Sequence, residues 1–113
     1  IRECYDTIGA DFEDVLGRLG SESLIQRFAL KFIDDGSYNE LTEALAEKNA
    51  EKAFRAAHTL KGICLNLGLK NLYTVSSDLT EKLRGRELDG YEALYEKVSE
   101  QYKITVNALK SVE

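Results

Sequence analysis

The segment that decides the fold is residues 49–68, which read NAEKAFRAAHTLKGICLNLG. Apolar residues recur in it at spacings of three and four, the period of an amphipathic α-helix. Asn49 is suited to cap the N terminus of this helix, and Gly68 is well placed for the left-handed residue that ends it. The segment therefore predicts one long helix that buries a single face.

The rest of the chain shows the same helical periodicity. Proline is absent, and no stretch alternates apolar and polar residues as a half-buried strand would. Ser37 and Glu40 have capping-box spacing, which predicts a helix start at Ser37. The pattern predicts further helices over residues 12–19, 22–34, 70–84 (ended by Gly85) and from 91 onwards. We therefore predict an all-α fold, an up-down antiparallel four-helix bundle with an N-terminal helical extension, forming a single domain over residues 1–113.

Composition excludes several classes of protein. Of the 113 residues, 43% are hydrophobic and 31% charged, which is typical of a globular domain. A net charge of −5 argues against a nucleic-acid partner, and no apolar run reaches the length of a membrane span. Cys4 and Cys64 are too few and too scattered for a disulfide framework or a metal site. We expect reduced thiols in a cytoplasmic monomer without metal, cofactor or membrane partner.

The only histidine of the chain, His58, is expected to face solvent. On a helical wheel at about 100° per residue, the apolar arc of residues 49–68 is centred almost opposite His58. The arc consists of Ala53, Ala56, Ala57, Leu60, Ile63, Cys64 and Leu67. An exposed histidine is often idle, so its neighbours decide whether it has a function.

Four neighbours on the histidine side of the helix point to a function. Lys61 lies one turn from His58, and residues 50–70 carry four basic residues against one acidic residue. Gly62, also one turn away, costs about 0.5–1 kcal/mol inside a helix and must be compensated. Open space beside the ring or close helix packing would each explain Gly62. Phe54 and Leu65 are large apolar side chains on the same side, which indicates a docking patch.

These residues suit phosphoryl transfer. A neutral imidazole has one ring nitrogen with a free lone pair and can attack phosphorus without an adjacent base. Lys61 offers positive charge for phosphoryl oxygens, and Gly62 offers room. The sequence contains no phosphate-binding glycine loop that could generate a phosphoryl group from a nucleotide. The sequence thus predicts a phosphocarrier, not an enzyme.

The run Ala57-His58-Thr59-Leu60-Lys61-Gly62, followed by Leu67-Gly68 and Leu72, resembles the signature of histidine phosphotransfer domains of two-component phosphorelays. The resemblance is concentrated in residues 54–84 and agrees with the expected helix order of the whole chain.

The resemblance implies a role for each matching residue. His58 would be phosphorylated, Lys61 would neutralise the phosphoryl oxygens, and Gly62 would clear the approach of a receiver domain. The partners would be receiver domains of response regulators or hybrid histidine kinases, which bring the aspartate and the magnesium. Thr80 departs from the pattern, because some members have a glutamine there that hydrogen-bonds the ring. Thr80 is the candidate for orienting the imidazole, through its shorter side chain.

Two alternatives stay open. In the first, the bundle only docks a partner through Phe54 and Leu65, and His58 is a relic. In the second, His58 acts as the general acid or base of an enzyme. That role calls for a concave pocket and an orienting carboxylate, and the residues near His58 in the sequence are a lysine and a glycine instead.

Overall fold

The computed structural model describes residues 1–112, and this range contains α-helices, one 3-10 turn and no strand. The fold is all-helical, as predicted. The helices are α1 (Arg2–Thr7), α2 (Phe12–Leu19), α3 (Glu22–Lys31), α4 (Ser37–Ala46), α5 (Ala50–Asn66), α6 (Lys70–Leu83) and α7 (Glu92–Lys110). The 3-10 turn, Phe32–Asp34, directly follows α3.

The ends of α5 have the two caps expected from the sequence. The Asn49 carboxamide oxygen accepts a hydrogen bond from the Lys52 backbone N–H at 3.1 Å. Beyond the other end, Gly68 has a φ of +65°, a conformation that favours glycine. A Cβ at Gly68 would also lie 2.8 Å from the Asp11 carbonyl oxygen and would clash with the Val15 side chain. Gly68 thus ends α5 and lets α2 approach.

The structure differs from the predicted helices in three details. Helix α1 has no counterpart in the prediction, because six residues are too short to show a clear period. The helix expected over 22–34 ends as an α-helix at Lys31, and the 3-10 turn follows. Helix α4 begins at Ser37, as predicted, but Ser37 is not its side-chain cap, since it is buried and its own N–H donates to the Asp35 carboxylate at 2.9 Å. The end of the next-to-last helix before Gly85 is confirmed, since α6 ends at Leu83 and Gly85 lies in the turn after it.

The histidine helix α5 packs between α4 and α6, and α6 packs on α7. The predicted apolar arc of α5 is buried, except that Ile63 is only partly covered. Tyr38 of α4 stacks on Tyr102 of α7 with ring centroids 4.0 Å apart, and its hydroxyl donates to Ser99 at 2.8 Å. The helices α4 and α7 are therefore also in contact, and buried residues from all seven helices form one hydrophobic core.

The N-terminal extension binds the C-terminal end of α5. The last carbonyl groups of a helix lack partners within it, and burial without partners is costly. Tyr5 donates its buried hydroxyl to the Leu67 carbonyl at 2.7 Å. Arg18 donates to the carbonyls of Leu65 and Asn66, each at 2.9 Å. Residues 1–20 thus complete the hydrogen bonding of the helix that carries His58.

Tyr5→Phe is expected to lower the free energy of unfolding by about 1–3 kcal/mol, because it leaves the buried Leu67 carbonyl without its donor while keeping the shape of the side chain. Urea denaturation followed by circular dichroism measures the change. Tyr73→Phe is the matched control, since Tyr73 is partly buried and its hydroxyl makes no hydrogen bond within residues 1–112. Equal losses of unfolding free energy in the two variants would contradict the stabilising role of the hydrogen bond from Tyr5 to the Leu67 carbonyl.

Candidate functional site

His58 lies in the middle of α5 and is exposed, on the face opposite the buried arc. The structure thus confirms the orientation expected from the helical wheel. Within residues 1–112 the imidazole makes no hydrogen bond. Both ring nitrogens are therefore uncommitted, and the ring is accessible to a reagent or a partner.

Open space surrounds the glycine one turn beyond the histidine. A Cβ built at Gly62 would meet nothing within 4 Å, so close packing against another helix does not explain the residue. Lys61 is partly buried on the same stretch of helix. The arrangement leaves room beside the imidazole for a group larger than a proton, with a cationic side chain nearby.

The two apolar residues of the predicted docking patch differ in exposure. Leu65 is 52% exposed, as the wheel indicated. Phe54 is only partly exposed, and its ring centroid lies 5.9 Å from that of His58. The guanidinium carbons of Arg84 and Arg86 lie 5.4 Å and 4.0 Å from the Phe54 centroid. Phe54 thus lies on the histidine side of α5, as the wheel indicated, and cation–π contacts with the two arginines cover part of its ring.

Arg84 is a member of the site that sequence reasoning missed. It lines an open, shallow depression together with Phe54, Arg55, His58 and Thr59. Because only a short turn joins α5 to α6, the end of α6 returns beside the first half of α5. That antiparallel return was the one signal that could have pointed to Arg84.

Two carboxylates bind the arginines around this depression. Glu81 accepts two hydrogen bonds from Arg84, at 2.9 Å each, and Glu51 accepts from Arg55 at 3.0 Å and from Arg86. The bonds from Arg84 hold the pKa of Glu81 below its ordinary value, and Lys61 and His58 lower that pKa further. The hydrogen bonds from Arg86 and then Arg55 lower the pKa of Glu51. The three arginines near His58 are thus paired with carboxylates. Lys61, in contrast, makes no ion pair among residues 1–112.

Thr80 lies on the buried face of α6, and its hydroxyl proton is already used. Thr80 Oγ1 donates to the Ser76 carbonyl at 2.7 Å, and the residue is fully buried. No hydrogen bond joins Thr80 to His58 within residues 1–112, and the Thr80 hydroxyl has only lone pairs left to offer. The neighbouring Ser76 hydroxyl is buried without a hydrogen-bond partner in the described part of the chain.

The described residues contain no cluster of three or more His, Cys, Asp or Glu side chains able to hold a metal ion. Over the same residues, no helix combines the length and the apolar character needed to cross a bilayer.

An all-helical domain that presents a single accessible histidine next to a lysine and open space has the features of a protein that carries a group on that histidine. The family model of the Hpt domain matches residues 36–111, and the chain belongs to this family. Hpt domains are phosphocarriers, take part in histidine phosphotransfer in phosphorelays and interact with receiver domains. The match covers α4 to α7, so the N-terminal extension, which includes Tyr5 and Arg18, lies outside it. Comparison with curated proteins and with solved structures finds no match.

Proposed function

We propose that His58 accepts a phosphoryl group from the aspartate of one receiver domain and passes it to the aspartate of another. The observation that carries the proposal is the position of the chain's only histidine, which is exposed on α5 one turn from Gly62, where a built Cβ meets nothing within 4 Å. In the first transfer the imidazole nitrogen attacks phosphorus, an N–P bond forms, and the O–P bond breaks with its electron pair leaving on the aspartate carboxylate. In the second transfer the carboxylate of the other receiver attacks, an O–P bond forms, and the N–P bond breaks with its electron pair returning to the imidazole nitrogen.

The proposal includes the architecture that presents the histidine. We propose that α4, α5, α6 and α7 form an up-down antiparallel four-helix bundle, with residues 1–34 as the N-terminal extension. The short turns between consecutive helices and the contact of α4 with α7 through Tyr38 and Tyr102 support this arrangement. Such a bundle holds His58 on a rigid helix, which suits transfer between large partners.

Lys61 serves this transfer by neutralising the phosphoryl oxygens. Its partial burial reduces screening by water, and Lys61 lies one helical turn from His58, so its side chain can reach the space beside the imidazole. In the transition state the charge is spread over the phosphoryl oxygens, so a fixed cation stabilises it.

Lys61→Ala is expected to slow transfer by roughly ten- to a hundredfold without stopping it, because a charge-assisted contact is worth about 1–3 kcal/mol. The rate of transfer from a labelled phosphorylated receiver measures the effect. Lys97→Ala, which removes an exposed lysine of α7, is the control for net charge. Lys61→Arg separates charge from shape, since the guanidinium is broad and planar. A rate for Lys61→Ala within about a factor of two of the wild type would remove Lys61 from the mechanism.

Docking and ring orientation complete the proposal. We assign Phe54 and Leu65 to receiver docking, Leu65 because it is exposed and Phe54 because its ring lies next to that of His58. Thr80 is assigned the role of an acceptor for the imidazole N–H, the one role that its hydrogen bond to Ser76 leaves. The domain acts as a carrier without kinase activity of its own, and its monomeric state and cytoplasmic location stay predictions.

A further inference from the structure

A bidentate ion pair borders the phosphorylation site, and nothing in the proposed transfer uses it. Arg84 Nε donates to Glu81 Oε2 and Arg84 Nη2 to Glu81 Oε1, both at 2.9 Å. The same guanidinium lines the depression that contains His58. We call the Glu81–Arg84 ion pair the exchange pair. In it, the Glu81 carboxylate binds a guanidinium that lies beside the nucleophile His58.

A phosphoryl group on His58 would change the charges that face this pair. It adds close to two negative charges and three strong acceptor oxygens beside Lys61 and Arg84. A guanidinium binds carboxylate and phosphoryl oxygens with the same fork of donors, so the two anions compete for it. Glu81 is bound to the guanidinium of a residue that lines this depression together with His58, so its carboxylate borders the space that the phosphoryl group would enter.

We propose that Glu81 competes with the phosphoryl group for Arg84 and so limits how firmly His58 holds that group. In the free domain, Arg84 binds Glu81. After phosphorylation, Arg84 turns to the phosphoryl oxygens, and the two hydrogen bonds that it donates to Glu81 are lost. Because Arg84 must leave Glu81 before it can bind the phosphoryl group, phosphohistidine is stabilised less than it would be by a free arginine, and the group can still be passed to a receiver. This inference rests on the proposed role of His58 and adds no bond to the transfer reaction.

The exchange pair can be tested without a receiver. Phosphoramidate, a small phosphoryl donor, labels histidine chemically, and ³¹P NMR then follows the loss of phosphohistidine from the folded domain. Glu81→Gln is expected to lengthen the half-life about two- to fivefold, the range expected for exposed charge pairs. Arg84→Ala is expected to shorten it by a similar factor. Both effects should shrink at about 1 M salt, where screening is short-ranged.

Two controls make the result specific. Glu87→Gln removes the same charge from an exposed residue in the turn after α6, and it should leave the half-life unchanged. Glu81→Gln in an Arg84→Ala background should lose most of its effect, because there is no longer a cation to release. The Nε–H resonance of Arg84 should shift on phosphorylation of the wild type, as the guanidinium exchanges one anion for another.

The possible outcomes separate this inference from the function on which it rests. If the wild type takes label on His58 and phosphohistidine has the same half-life in Glu81→Gln and Glu87→Gln, the exchange pair is overturned and the phosphocarrier role stays intact. A Glu81→Gln effect that persists without Arg84 would also overturn it, because the carboxylate would then act by direct repulsion. A folded wild type that takes no label on His58 would contradict the proposed function itself.

Discussion

His58→Gln is expected to abolish acid-labile phosphorylation while keeping the helical content of the domain. The reason is that the chain has no second histidine and that His58, being exposed, contributes little to the core. A glutamine amide lacks a nucleophilic nitrogen lone pair, so the loss should be at least about a thousandfold, down to the background of the assay. The measurement is transfer of label from a phosphorylated receiver, followed by acid treatment of the product.

The same variant separates the carrier from a bundle that only docks a partner. A domain of the docking-only kind would bind a receiver and show no His58-dependent label in either form. The carrier predicts that receiver binding by His58→Gln, measured by titration calorimetry, stays within about threefold of the wild type. Acid-labile label that persists on the glutamine variant would contradict the assignment of His58 as the phosphorylated residue.

Gly62→Leu is expected to slow transfer by about a hundredfold or more, although it leaves the unoccupied domain folded. A Cβ built at Gly62 meets no atom of another helix or side chain within 4 Å, so the first added carbon fits there and the longer side chain is expected to extend into open space. They would stand in the path of the receiver, and a displacement of about 1 Å from the reactive geometry can already cost about a hundredfold. Replacing a helical glycine should also raise the free energy of unfolding by about 0.5–1 kcal/mol.

Gly17→Leu is the matched control, because Gly17 is also a helical glycine with no atom within 4 Å of a built Cβ. It should give the same gain in stability and an unchanged transfer rate. Gly62→Ala should fall between the wild type and the leucine variant. If Gly62→Leu transferred as fast as Gly17→Leu, the open space beside His58 would have no role in the reaction.

The direction in which His58 points could be predicted because it depends only on local geometry. A helix turns by about 100° per residue, so the spacing of apolar residues defines the buried face and the opposite one. The same local reasoning placed the Asn49 cap and the left-handed Gly68 correctly. It misplaced the cap of α4, because Ser37 and Asp35 each offer a polar side chain at that turn and only the folded chain shows which one is used.

The surroundings of the ring could not be predicted in this way. Arg84 reaches the depression beside His58 from the end of another helix, and Arg86 covers Phe54 from the turn beyond it. Neither contact follows from spacing along the chain, since both depend on where α6 ends and on how it packs against α5. Phe54 shows the consequence, because the wheel gave the side of α5 on which its ring lies but not the arginines that cover part of that ring.

The sequence by itself determined the helical fold, the family signature around His58 and the face on which the histidine lies, because each depends on neighbours within a few turns of one helix. The tertiary structure decided which distant groups meet at the C-terminal end of α5 and beside its middle. It brought Tyr5 and Arg18 to the last carbonyls of that helix and the Glu81–Arg84 pair to the site near its middle. The physical reason is that contacts between helices depend on turn conformation, packing and side-chain rotamers, which the period of a single helix does not encode.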